Sequence, residues 1–188
     1  MERAVELTIP AAVARAARDF GDAEALAEPG GPRLSYRDLD ERVTAVAGAM
    51  IAADVRPGDR VAVWAPNGPE WLLTALGTLA AGATLVPVST RFTGPEALDV
   101  IGRSGARALF VAGDFLGVDR LGALRAAAAA EGESLDRLGL VVRVPEELDA
   151  FLRAGSVTEA RRRALLAEAR RRAGAVRPDH AKGHRRSP

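Results

Sequence analysis

The chain has 188 residues, enough for one domain with a real core. Apolar residues make up 48% and charged residues 27%, ordinary values for a globular protein. It contains no cysteine, which excludes disulfides, thiolate metal sites and cysteine nucleophiles.

The net charge of +1 hides an asymmetry. Residues 158–188 hold 10 basic and 3 acidic side chains, which leaves −6 on residues 1–157. Of the 26 basic residues only Lys182 is a lysine. The N-terminus, MERAVELTIPAAVARAARDF, lacks the order of charge, apolar core and cleavage site that marks a signal peptide. Trp71 to Thr90 carries no charge, and a membrane helix needs about 20 apolar residues. Gly77, Gly82 and Pro87 interrupt that stretch, so it reads as a buried helix followed by a buried strand, with no membrane span. A cytoplasmic location is expected.

Residues 8–20 suggest an amphipathic helix with Pro10 in its first turn. Ala23–Glu28 and Arg33–Leu34 flank Pro29-Gly30-Gly31-Pro32 and read as a β-hairpin. Ser35 begins a helix, with Asp38 at capping-box spacing. Leu39, Val43, Val46 and Met50 give that helix one apolar face, and Pro57-Gly58-Asp59 ends the segment. Arg60–Ala65 is a strand by its β-branched and aromatic content. After the turn Pro66–Pro69, Glu70–Ala81 is a helix apolar nearly all round, hence buried, with Gly82 as its C′ residue.

Thr84–Val88 is the next strand. Pro95 opens a helix with Glu96 in its first turn, and Ser104-Gly105 closes it. Ala106–Ala112 is a strand, a helix follows to about Ala130, and Leu140–Val144 is a strand. Pro145-Glu146-Glu147 starts a helix that Gly155 ends. Apolar strands alternating with helices from residue 60 to 155 predict an α/β fold. Its sheet is mostly parallel with helices on both faces, preceded by a β-hairpin and helix.

Beyond Gly155 the composition changes. Residues 156–175, with Arg161–Arg163 and Arg170–Arg172 and only two large apolar residues, predict an exposed Arg-rich helix. Residues 176–188 predict a disordered tail, which holds both histidines and the lysine. His180 and His184 are four apart, but Gly183 and the missing acidic or Cys partner make them surface histidines, so no metal site is expected. With both histidines there, no Ser-His-Asp set is credible, and Glu146/Glu147 read as helix N-terminal charges.

Two segments carry a family resemblance. Leu34-Ser35-Tyr36-Arg37-Asp38-Leu39 is similar to the early L-[ST]-Y-x-[ED]-L motif of the adenylate-forming, AMP-binding superfamily. Leu79-Ala80-Ala81-Gly82-Ala83-Thr84-Leu85-Val86-Pro87-Val88 is similar to its L-x-A-G-x-x-x-V-P-[LIV] motif. Val55–Val63, Pro66-Asn67 and Glu70-Trp71 stand between them at family-like intervals. Arg91–Glu96 with Ser104–Arg107 looks like free-standing acyl-CoA ligases rather than peptide-synthetase modules, and resembles actinobacterial ligases of fatty or steroid-derived acids. The resemblance implies residues 1–155 as the N-terminal α/β subdomain of such an enzyme, an incomplete subdomain of the adenylate-forming fold. In it these motifs are structural. For Arg91, after a strand end, two readings stand: contact with a CoA phosphate, or an ordinary surface ion pair.

The family forms an acyl-adenylate from ATP and a carboxylate, then transfers the acyl group to CoA. Setting an anionic acid against a triphosphate needs a phosphate-cradling loop, magnesium and cationic side chains. The resemblance implies ATP, Mg and CoA for the full-length enzyme. This chain has no T-S-G-x-T-G-x-P-K string, and Lys182, in AKGHRR, matches neither family lysine. No catalytic residue and no cofactor are therefore expected for this chain alone. The resemblance runs to Val176-Arg177-Pro178-Asp179 and then breaks, the pattern a reading-frame shift or truncation gives.

Three functions compete. The first is an inactive N-terminal fragment of an acyl-CoA ligase, its partner the missing remainder. The second is a regulatory or complementing module docking on a full-length ligase. The third, least favoured, is non-specific nucleic-acid binding through the Arg-rich end, which lacks interleaved aromatics. A part-built sheet with an open edge is also expected to be poorly soluble.

Overall fold

The structure, a computed structural model, describes residues 8–155. The Arg-rich helix expected over 156–175 and the tail expected over 176–188 lie outside the described residues. Helix α1 spans Ile9–Phe20, with Thr8 capping it by accepting from the Ala11 N–H. Strands β1 (Glu24–Ala27) and β2 (Arg33–Ser35) pair as the expected antiparallel hairpin. Ser35 then caps α2 (Tyr36–Ala52) in a full capping box with Asp38.

From here the chain alternates: β3 (Arg60–Trp64), α3 (Pro69–Ala80), β4 (Thr84–Pro87), α4 (Gly94–Ser104) and β5 (Ala108–Ala112). Gly82 takes the expected positive φ, 78°, between α3 and β4. One stretch differs from expectation. A short antiparallel hairpin, β6 (Asp114–Phe115) and β7 (Val118–Asp119), which the sequence reading did not include, precedes the expected helix, α5 (Arg120–Glu131). Two-residue strands show no hydrophobic period, so nothing in the pattern announces them. Leu116 and Gly117 both have positive φ, which suits a two-residue hairpin turn. Strand β8 (Leu140–Val144) and α6 (Leu148–Ala154) complete the described chain. Helix α6 starts later than expected because Pro145–Glu147 forms a turn, entered through a cis Val144–Pro145 bond.

The four long strands form one parallel sheet in the order β4-β3-β5-β8. The central pair β3 and β5 is buried almost throughout, while the edge strands β4 and β8 are partly exposed. Alternate residues point to opposite faces. Val61, Val63, Phe110 and Val142 pack under α2, α3 and α6 in one core. Ala62, Trp64, Leu109 and Val111 pack under α4 and α5 in the other.

Candidate functional site at the carboxyl ends of the strands

The chain leaves β3 for β4 on one side of it, then crosses to β5 on the other side. Such a reversal opens a crevice outside the carboxyl ends of the two strands, the place where open α/β sheets bind ligands. Here the topology puts that position beyond Trp64 and Ala112, next to residues 65–68 and the β6–β7 hairpin.

Arg91, the one sequence-predicted site residue, stands in the turn after edge strand β4. Its N–H donates to the Ser89 hydroxyl at 3.2 Å. Its side chain is exposed and forms no ion pair among the described residues. The buried Trp64 indole N–H donates to the Ser89 carbonyl at 2.9 Å, tying this turn to the end of β3. Trp64 therefore holds the Arg91 loop against the sheet.

The same indole carries a second arginine that sequence reasoning missed. Arg120, the first residue of α5, is 5% exposed, the only buried charged residue among those described. Its guanidinium carbon lies 5.3 Å from the Trp64 ring centre and 5.1 Å from that of Phe115. Cation–π attraction from both rings offsets part of its desolvation. Its Nε has no hydrogen-bond partner. A buried donor left unpaired costs about 1–3 kcal/mol. Burial alone shifts its pKa, downward from the ordinary arginine value, with no carboxylate contributing. Its main-chain N–H donates to the Gly113 carbonyl at 3.2 Å, which closes the hairpin against the end of β5. The neighbouring Asp119 carboxylate is engaged by the Gly122 N–H at 3.0 Å, capping α5. Arginine after an aspartate cap reads as a surface residue, and the two rings beneath it come from distant positions, so the sequence offered no signal.

A second concavity, an open groove of about 500 Å³, lies between the β1–β2 turn and α3. Leu26, Pro29, Asn67, Trp71 and Leu72 line it. Among the described residues no group of His, Cys, Asp or Glu could hold a metal, and none of them is a lysine. Of the two arginines, only Arg120 has its guanidinium against Trp64; Arg91 reaches that residue through the Ser89 main chain alone.

A doubly wound parallel sheet with its crevice at the strand reversal is a nucleotide-binding architecture. The family model described as AMP-binding enzyme matches residues 13–179, and the chain belongs to that family. It is 46% identical over 177 residues to a 3-[(3aS,4S,7aS)-7a-methyl-1,5-dioxo-octahydro-1H-inden-4-yl]propanoyl:CoA ligase of Rhodococcus jostii (strain RHA1), covering 92% of this chain and 33% of that relative. A ligase of the same name from Mycobacterium tuberculosis (strain ATCC 25618 / H37Rv) is 44% identical over 76% of this chain and 27% of its own length. The chain thus spans about a third of the length of the curated relatives it matches. The N-terminal domain of FACL13 from Mycobacterium tuberculosis superposes with a TM-score of 0.71 at 22% identity, over 81% of this chain and 38% of that one. A long-chain-fatty-acid-CoA ligase, FadD1, from Archaeoglobus fulgidus gives 0.67 at 22% identity, over 80% and 30%. These two likenesses establish the fold alone. Among the described residues no helix is long and apolar enough to cross a membrane.

Proposed function

We propose that the chain is the N-terminal α/β portion of an ATP-dependent acyl-CoA ligase, and that its 188 residues do not form acyl-adenylate by themselves. The observation that carries this reading is 46% identity across 92% of the chain to a CoA ligase, over only 33% of that relative. Residues 1–155 serve as one wall of the enzyme. The acid is an apolar propanoate on fused rings, the chemistry named in both relatives. ATP and magnesium are held by the rest of the ligase, which is the chain's partner. The reaction belongs in the cytoplasm, where both ATP and CoA are supplied. Arg91, exposed beside the crevice and free of an acidic partner among the described residues, contacts a CoA phosphate.

The test is a chimera. The matching segment of the Rhodococcus relative is replaced by this chain, and formation of acyl-CoA from the fused-ring acid is followed. The chimera is expected to be active and the chain alone to give no ATP–pyrophosphate exchange. Exchange by the chain alone would overturn the first claim. A folded chimera inert toward both the fused-ring acid and fatty acids would overturn the assignment to this reaction.

A further inference from the structure

Arg120 is a permanent cation, 5% exposed, and among the described residues it forms no ion pair and its Nε has no hydrogen-bond partner. Buried polar groups are nearly always paired, so an exception among the described residues asks for a partner beyond them. Stacking explains part of the burial but not the unpaired N–H, because a ring face attracts charge without accepting along the guanidinium plane. The unpaired Nε–H is a donor lying in that plane, and in-plane is how a guanidinium binds an oxyanion.

The location agrees. Trp64 belongs to the core under α4 and α5, whereas Phe115 packs against the core under α2, α3 and α6. Arg120 therefore bridges the two cores across the carboxyl ends of β3 and β5, at the strand reversal where ligands gather. The hairpin over it is lightly held. Leu116 at its tip is 84% exposed and Val118 47%, so Phe115 is its apolar anchor.

We propose that Arg120 receives a phosphate group of a ligand in this crevice, gripped for the purpose between Trp64 and Phe115. The site itself rests on these contacts. The ligase reading supplies only the source of the phosphate, a nucleoside phosphate or CoA.

The experiment uses the full chain, with tryptophan fluorescence and melting temperature as readouts, since Trp64 touches the guanidinium. Inorganic phosphate, ATP, CoA and dephospho-CoA are titrated at matched ionic strength against chloride. Inorganic phosphate is expected to shift the emission and raise the melting temperature of the wild type. R120M, which keeps an unbranched side chain between the rings, is expected to weaken that response about tenfold or more. R120K keeps the charge and is expected to retain part of it; if R120M fails to fold, the comparison of R120K with wild type carries the test. CoA binding more tightly than dephospho-CoA in wild type but not in R120M assigns the site to the CoA phosphate. A preference for ATP assigns it to a nucleotide instead. Either result supports the site, even if the chimera is inert. No phosphate response in folded wild type, or an equal response in wild type and R120M, overturns it, even if the chimera is active.

Discussion

The two faces of the sheet are closed by different means. Under α2, α3 and α6 the core is apolar and aromatic, with Phe110 meeting Phe151 edge-on at 5.5 Å between ring centres. Its buried polar groups are two threonines, and Thr78 donates to the Thr74 carbonyl at 2.8 Å. The Thr74 hydroxyl is unpaired, but it is neutral. Under α4 and α5 the core runs from Leu98, Ile101 and Leu109 up to Trp64 and then meets a buried charge, Arg120. A neutral orphan is tolerated at modest cost, whereas a buried cation without a counter-charge is the more expensive kind. Among the described residues the first face holds only a neutral unpaired group, whereas the second ends in an unpaired cation at its carboxyl end.

The largest expected effect tests whether the first face is the stability core. Phe110 is fully buried on central strand β5, and Phe110→Ala should cost about 3–5 kcal/mol in a denaturant titration. Val141 on edge strand β8 is 36% exposed, and Val141→Ala should stay within about 0.5 kcal/mol. Similar losses at both positions would mean that the edge strand is buried in the folded state in solution, by a partner or a second copy.

The next effect sharpens the contrast at the helix contacts. A methyl group on Gly77 of α3 would run into the Val46 side chain of α2. A methyl group on Gly94 of α4 would run into the Ala123 carbonyl of α5. Each alanine should destabilise by about 1–3 kcal/mol through overpacking. Neither is easily relieved: Val46→Ala removes the nearer clashing carbon but keeps the Val46 Cβ, 2.6 Å from the new methyl, and no side-chain truncation opens the main-chain clash at Gly94, so a double-mutant cycle of Gly77→Ala with Val46→Ala should show little rescue. Full tolerance of Gly94→Ala would show that α4 and α5 sit less tightly than described.

These glycines also show what the sequence made legible. Strands β3 and β5 stood out because RVAVW and ALFVA are unbroken apolar runs, as burial on both faces requires. The Ser35–Asp38 box and the Gly82 turn were visible because each obeys a local rule at fixed spacing. The β6–β7 hairpin was not, since its four strand residues have no period and Leu116 is an unusual choice for positive φ. Arg91 could be singled out because a strand end precedes it. Arg120 could not, because its burial depends on rings at positions 64 and 115 that only the tertiary fold brings over it. Local chemistry is written locally; the unpaired cation at the end of the second face is a property of the assembled sheet.

The smallest effects lie where the two faces are alike. Helix α2 on the first face and α4 on the second each begin with a capping box. The Ser35 N–H and hydroxyl donate to the Asp38 carboxylate at 3.0 and 2.6 Å. The Thr93 N–H and hydroxyl donate to Glu96 at 2.7 and 2.8 Å. Both carboxyls are thereby held below their ordinary pKa values, Asp38 chiefly by the Ser35 hydroxyl and Glu96 chiefly by the Thr93 main chain. Ser35→Ala and Thr93→Ala should each cost about 1 kcal/mol at pH 7, independent of face, because a cap acts on its own first turn. A carboxyl whose pKa is lowered by folding adds stability above its unfolded pKa and loses it as pH falls through the folded value. The difference between wild type and Asp38→Asn or Glu96→Gln should therefore be full at neutral pH and shrink on acidification below the ordinary carboxylate range. If one helix showed this closing gap and the other did not, the box without it would be open in solution, and the likeness between the faces at their helix starts would fail.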